Sequence, residues 1–268
     1  MSAPGPRPVA AGFALALAAL PATAQDGPGF FAGRTASVTY GPYVRAEVGG
    51  ARLSPDDGRW QPAGASDPTV SLDFSTDDVN FGALGFGYDW MNGFRADLTF
   101  LSTGNGSIKG TCSSTSDGTP CADHVDSIST TLNTKALMVN VFYAPLEQRG
   151  SNSIFQPFLV AGVGLAHNSV GDWTRINDDA ARPERSFDGA STDSFAWSVG
   201  FGAALQVTRP GKWPIILEAA YRYYDFGSAE GGAAPLPGNG SSRPTEPVRF
   251  DVTSQVVSIG VRIPLQRY

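Results

Sequence analysis

The chain has 268 residues, 41% of them hydrophobic and only 16% charged, with 32 glycines and 20 prolines. That length allows one large all-β domain or two small domains. A formal net charge of −6, with no basic patch to meet phosphates, argues against a nucleic-acid partner.

Residues 1–24 carry Arg7, an apolar run between Val9 and Leu20, and the small residues Ala22, Thr23 and Ala24. They read as a cleaved secretory signal, because the run is too short for a membrane helix and has no helix caps. Its removal would take away Arg7 and move the net charge to about −7. Residues 25–38 then form a lead segment, and residues 39–268 a single domain. Beyond the signal, no segment approaches the roughly 20 apolar residues of a membrane helix.

Eight alternating segments follow, near residues 42–51, 81–90, 94–103, 130–144, 155–168, 193–207, 214–227 and 250–265. Most have about ten residues or more, enough to cross a bilayer as tilted strands. Their connections take turns. Met91, Asn92 and Gly93 make a tight hairpin in which Asn-Gly accepts positive φ, and LEQRGSNS and TRPGKW make two more short links. The other four links run to about twenty residues or more and are rich in Gly, Pro, Ser and Asp, which is uncommon inside compact domains. Short turns at one end and long loops at the other form the arrangement of an outer-membrane barrel, with the four long loops outside the cell.

The sixth segment, DSFAWSVGFGAALQV, shows which face turns outward. Phe195, Trp197, Val199, Phe201, Ala203 and Leu205 share one face; Ser194, Ala196, Ser198, Gly200, Gly202, Ala204 and Gln206 share the other. In other strands the face opposite the bulky apolar row carries charge of both signs: Arg45, Arg95, Arg222 and Arg262, and Glu47, Asp89, Asp97 and Glu218. A charge facing lipid near the midplane costs roughly 2–4 kcal/mol, whereas opposite charges inside a narrow barrel can pair. The aromatic face therefore looks at lipid, and the Gly and Ser face leaves lumen space for these eight side chains. A soluble eight-stranded barrel of lipocalin type would have to hide the aromatic rows inside and show glycines and charges to water. The expected fold is an all-β, eight-stranded antiparallel up-and-down transmembrane barrel.

With FGALGFGYDW, MVNVFYAPL, QPFLVAGVGLA and LEAAYRYYDFG in place, the chain resembles the small eight-stranded outer-membrane barrels of Gram-negative bacteria. The nearest groups are the opacity-protein-like and OmpA-transmembrane-domain-like families, often called porin-like or surface-antigen barrels. The resemblance covers essentially the whole mature chain and implies a scaffold, not an activity. It implies contact with outer-membrane lipid and lipopolysaccharide, and with the barrel-insertion machinery through the terminal aromatic Tyr268. Pro264 and the out-of-step position of Tyr268 depart from that signal. Nothing after strand eight matches the peptidoglycan-binding domain that OmpA-type proteins often carry.

Cys112 and Cys121 flank CSSTSDGTPC, which in an exported chain reads as a local disulfide closing a small loop. A metal site would need a neighbouring Cys pair, and none is present, so no metal or cofactor is expected. The histidines are His124 and His167, and no HExxH, phosphate loop or nucleophile elbow occurs. His167 and Ser169 stand two apart at the outer end of strand five, and a base beside a hydroxyl is the minimum for acyl chemistry. Outer-membrane lipid A deacylases are similar here, using a His and a Ser on a lipid-facing strand with a downstream acid. Asp172, Asp178, Asp179 and Glu184 offer no convincing acid, and a His at a strand mouth is more often an interface residue. Gly162 and Gly164 read as strand packing, since a nucleotide fingerprint lacks its third glycine and helix. The acidic runs Asp56-Asp57, Asp77-Asp78 and Asp178-Asp179 read as solvated loop charge ahead of divalent-cation bridges. The leading expectation is a non-catalytic structural or surface-interaction protein with an unidentified loop partner. A narrow pore or carrier is the first alternative and lipid A deacylation the second.

Overall fold

The computed structural model describes residues 41–64, 66–121, 127–176, 184–208, 213–238 and 242–266. The signal and lead segments, His124, Asp178, Asp179 and Tyr268 lie outside the described residues. The elements are β1 (Gly41–Gln61), β2 (Val70–Thr76), β3 (Asp78–Asp89), β4 (Phe94–Thr103), β5 (Gly106–Thr115), β6 (Ser127–Tyr143), a one-turn helix α1 (Pro145–Gln148), β7 (Phe155–Val170), β8 (Trp173–Ile176), β9 (Arg185–Phe187), β10 (Ala190–Gln206), β11 (Ile216–Glu230) and β12 (Glu246–Pro264).

Eight of these strands close a ring, each antiparallel to the next: β1, β3, β4, β6, β7, β10, β11, β12 and back to β1. Closure leaves no open edge within the membrane span, where an unpaired backbone group would have no water to bond. The ring strands match the eight alternating segments within two residues at the short-turn end. At the other end most run on, β1 furthest, reaching Gln61.

Alternation sorts side chains as the lipid-out reading requires. Leu84 (66% exposed), Leu165 (67%), Phe195 (64%) and Ile259 (65%) project from the wall, while their sequence neighbours Ala83, Ala166 and Ala196 are buried. An apolar belt of this extent exceeds what monomeric soluble proteins display and fits a lipid-facing surface. Aromatic pairs edge the belt: Phe94 with Tyr143 and Tyr88 with Trp90 at the short-turn end, and Trp197 with Tyr223 toward the other. In the β3–β4 turn the positive φ angles fall on Met91 (57°) and Gly93 (86°), not on Asn92. Asp89 Oδ1 accepts the Met91 N–H and Asn92 Oδ1 accepts the Phe94 N–H, so Asn92 serves as a side-chain acceptor in this turn.

Among the described residues, much of the long links is strand. Above the membrane span they continue the wall as a second tier. Residues 58–60 of β1 pair with β2, β2 pairs with β5, and β5 pairs with residues 127–132 of β6. β6 then pairs with β8 and β8 with β9. Phe187 bridges to Pro235, and the Gly231 N–H donates to the Val248 carbonyl, which returns the wall to β12. Inside this tier lies an apolar core, in which Trp173 stacks on Phe187 (centroids 4.2 Å) and meets the edge of Trp60 (6.3 Å). Leu53, Leu72, Ile108, Ile128, Val248 and Phe250 fill the space around them. The barrel interior is thus of two kinds. Its outer half is a hydrophobic core, because strands extending beyond the bilayer face water outside and must turn their apolar side inward.

Candidate functional site

The eight lumen charges come together in the short-turn half of the barrel, since each sits near that end of its strand. All are buried, from 1% exposed for Arg222 to 5% for Arg262. Arg45 donates from Nε to Asp97 Oδ2 (3.0 Å), from Nη2 to Thr99 Oγ1 (3.0 Å) and from Nη1 to Glu47 Oε1. Arg222 Nη2 donates to the same Glu47 oxygen at 2.9 Å, tying β11 to β1 past the intervening β12. Asp97 also accepts from Tyr43 (3.3 Å), the Thr99 hydroxyl (2.8 Å) and Asn140 Nδ2 (2.8 Å).

A second group centres on Glu218. Arg262 donates from Nε to Glu218 Oε1 (2.8 Å) and from Nη1 to Asp89 Oδ2 (3.1 Å). Arg95 Nη2 lies 2.9 Å from the same Glu218 oxygen, but its N–H is not aimed at it, so the contact is an ion pair without a directed hydrogen bond. Phe142 on β6 sits beneath the guanidinium groups of Arg95 (4.4 Å), Arg45 (5.0 Å) and Arg222 (5.6 Å). Four arginines against four carboxylates, three of the arginines over Phe142 and Arg262 over Tyr43, make a compensated plug. The arrangement holds five strands together and fills this half of the lumen.

On the outer surface, His167 of β7, directly across from Asp193 of β10, meets it through Nδ1 and Oδ1 at 2.6 Å. Asp193 is a carboxylate outside the loops, on the strand paired with β7. Its outward parity with Phe195 and Trp197, joined to an antiparallel β7–β10 register, would have located it. Both groups are solvent-accessible, the His167 side chain 51% and that of Asp193 81% exposed. One step further up, the Ser169 hydroxyl bonds the Ser191 hydroxyl (3.0 Å) rather than the imidazole. These four residues stand just above lipid-facing Leu165 and Phe195, with Lys135 of β6 across from His167 on the other side.

Of the other acidic candidates, Asp172 Oδ1 accepts the Gly189 N–H and Glu184 is exposed. Asp78 forms two bonds with Arg52, 2.8 and 3.1 Å, at the rim of the belt. Cys112 and Cys121 are joined as a disulfide with Cα atoms 5.8 Å apart, pinning the tip beyond β5. A Cβ on Gly162 would meet Asn140 Oδ1 at 2.3 Å, which is the close packing expected of that glycine.

No family model matches the chain. The outer membrane protein PagN of Salmonella typhimurium is 29% identical over 167 residues, a match covering 59% of this chain and 62% of that protein. The matched chain thus spans less than two thirds of that relative's length. Among solved structures, Neisserial surface protein A is similar at 18% identity and TM-score 0.46, over 85% of this chain and 99% of that one. OprG from Pseudomonas aeruginosa is similar at 15% identity and TM-score 0.46, over 85% and 98%.

Proposed function

We propose that this chain, a small eight-stranded β-barrel of the outer membrane, is a surface-interaction protein acting without catalysis through its folded outer tier. The observation that carries the reading is the sealed interior. The lumen holds an ion-paired plug below and the Trp60–Trp173–Phe187 core above, which favours a scaffold over a pore. What remains available to a partner is the outside of the tier, a rigid polar surface that includes Asp73 on β2, Lys109 and Thr111 on β5, and Arg249 on β12. A partner meeting a preformed β-surface avoids the ordering cost that a flexible loop would add. Lipid and lipopolysaccharide surround the belt in this reading, insertion uses the barrel-assembly machinery, and the first 24 residues direct export.

Two measurements test it together. Purified protein in planar bilayers is expected to give no stepwise conductance, and cells displaying it are expected to bind host or neighbouring cells more than control cells do. A triple variant, Asp73→Ala, Lys109→Ala and Arg249→Ala, should lose that binding while keeping its surface level. Stepwise conductance from the native protein would transfer the case to a channel.

A second reading rests on the His167–Asp193 contact, which supplies the acid and base of an acyl hydrolase beside Ser169 at the edge of the lipid belt. It requires the Ser169 hydroxyl to leave Ser191 and turn to the imidazole. Mass spectrometry of lipid A from cells making the native chain or Ser169→Ala decides it, since identical spectra exclude deacylation.

A further inference from the structure

Where β12, β1 and β2 meet above the belt, the outside of the tier carries an open groove of about 530 Å³, bordered by Ser113 of β5 and floored by Leu72 and Phe250. Two strand irregularities shape it. The register of β1 against β12 slips between Asp56 and Arg59, and that of β2 against β5 slips between Ser71 and Leu72. Bulges re-aim side chains. Here the consecutive Asp56 and Asp57 are both exposed, where a regular strand would send one of them inward. Asp57 also holds a left-handed backbone, φ 51°, which L residues rarely adopt.

The charges of this groove are sorted by sign into rows. Arg59 of β1 stands directly across from Arg249 of β12, and two residues down β12 Asp251 stands across from Asp56. On β2, Ser71 continues the arginine row beside Arg59, and Asp73 continues the aspartate row just past the Leu72–Gly58 pair. These charged side chains are all exposed, and among the described residues none forms an ion pair, although both signs are present. Glu230 of β11, across from Arg249, does not pair with it either. Like charges directly opposite one another destabilise a sheet. The isolated fold gains nothing from such rows, whereas a partner presenting the opposite rows meets both.

We infer that this groove binds an extended peptide segment of a protein partner, lying along the strands. An acidic residue of the segment sits over Arg59 and Arg249, and a basic residue two positions away sits over the aspartate row. Residues i and i+2 of an extended chain point the same way, roughly 6.6 Å apart. Wall and peptide share that repeat, so their charges match in spacing as well as in sign. The assignment deepens the surface-interaction reading, on which its biological setting rests, by naming the partner's chemistry. Each contact is a surface ion pair, so one segment binds weakly, and added salt weakens it further.

The experiment titrates isotope-labelled full mature chain in nonionic detergent micelles with two end-blocked peptides. One is Gly-Lys-Thr-Glu-Gly; the other, Gly-Lys-Glu-Thr-Gly, has the same composition with its charges adjacent and on opposite faces. The first is expected to give saturable amide shifts at residues 57–59, 71–73 and 249–251, and the second to bind at least about fivefold more weakly. A variant carrying both Arg249→Asp and Asp251→Arg keeps the net charge and sets opposite charges across β1 and β12, so it folds and each row satisfies itself. Its Kd for the first peptide should rise at least about fivefold. Equal affinity for the two peptides, no saturable shift, or unchanged affinity in the folded exchange variant would each overturn the assignment. Native cells that bind other cells while the peptide gives no shift would leave the surface reading standing without this groove. Peptide shifts from a chain whose cells bind nothing would keep the groove and remove that reading.

Discussion

Gly200 lies directly across the β10–β11 pair from Arg222, and a Cβ placed on Gly200 would come within 2.7 Å of the arginine's Cγ and 2.4 Å of the Tyr221 carbonyl oxygen. The glycine is thus the space into which the arginine stem folds on its way to Glu47. Gly260, opposite Glu47 and Glu218, does the same for the acid, where a Cβ would stand 2.8 Å from Glu47 Cγ. We expect Gly200→Val to destabilise the barrel by about 1–3 kcal/mol through overpacking. Urea unfolding in lipid vesicles measures it, and a midpoint equal to that of the native chain would show that Arg222 does not need the gap.

The plug is expected to behave as a coupled unit. Arg222→Met leaves Glu47 with Arg45 alone, and truncating one partner of a buried pair costs about 3–5 kcal/mol. Glu47→Gln with Arg222→Met removes one charge of each sign and should cost less than the two single changes added together. A double-mutant cycle by the same unfolding assay reads the coupling, and strict additivity would mean that the Arg222–Glu47 contact is energetically idle.

The ring was legible in the sequence because each membrane strand has unlike faces, and the eight lumen charges were legible because they stand on the face opposite the bulky apolar rows. The outer tier was not. In β2, Val70, Leu72 and Phe74 alternate with Ser71, Asp73 and Ser75, but seven residues among Gly, Pro and Asp read as loop. Trp173 and Phe187 belong to strands of four and three residues, too short for any periodicity to register, and their stacking exists only once the wall is closed. Leu53 and Val252 were illegible for another reason: their inward apolar side chains repeat the look of lipid-facing ones lower on the same strands. Asp193 escaped because its role depends on a cross-strand partner 26 residues away.

The tier's cohesion depends on Trp173, fully buried, its Nε1–H donating to the Gly232 carbonyl at 2.8 Å. Trp173→Ala removes the stack on Phe187 and the edge contact with Trp60, a loss of about 3–5 kcal/mol for a buried aromatic. The eight-membered ring lies below these contacts, so the gel mobility shift of the folded barrel should persist. Proteolysis of intact cells should instead cleave the tier much faster than in the native chain. Resistance equal to the native chain's would mean that backbone pairing alone holds the tier.

Glu147 gives the periplasmic end a pH dependence. Burial raises its carboxyl above the usual glutamate range, Asp89 pushes the same way, and Arg262 and Arg95 oppose them. A carboxyl whose pKa is higher folded than unfolded favours the fold when protonated. That stability is fully present below about pH 4, the ordinary glutamate value, and is lost as pH rises through the raised folded value. Glu147→Gln keeps the neutral form at every pH. It should therefore match the native chain in acid and exceed it at neutral pH, by only a fraction of a kcal/mol because solvent screens a partly exposed group. Unfolding midpoints of the two proteins at acid and neutral pH give the comparison. A Gln advantage of the same size at both would place its origin in packing and not in the charge.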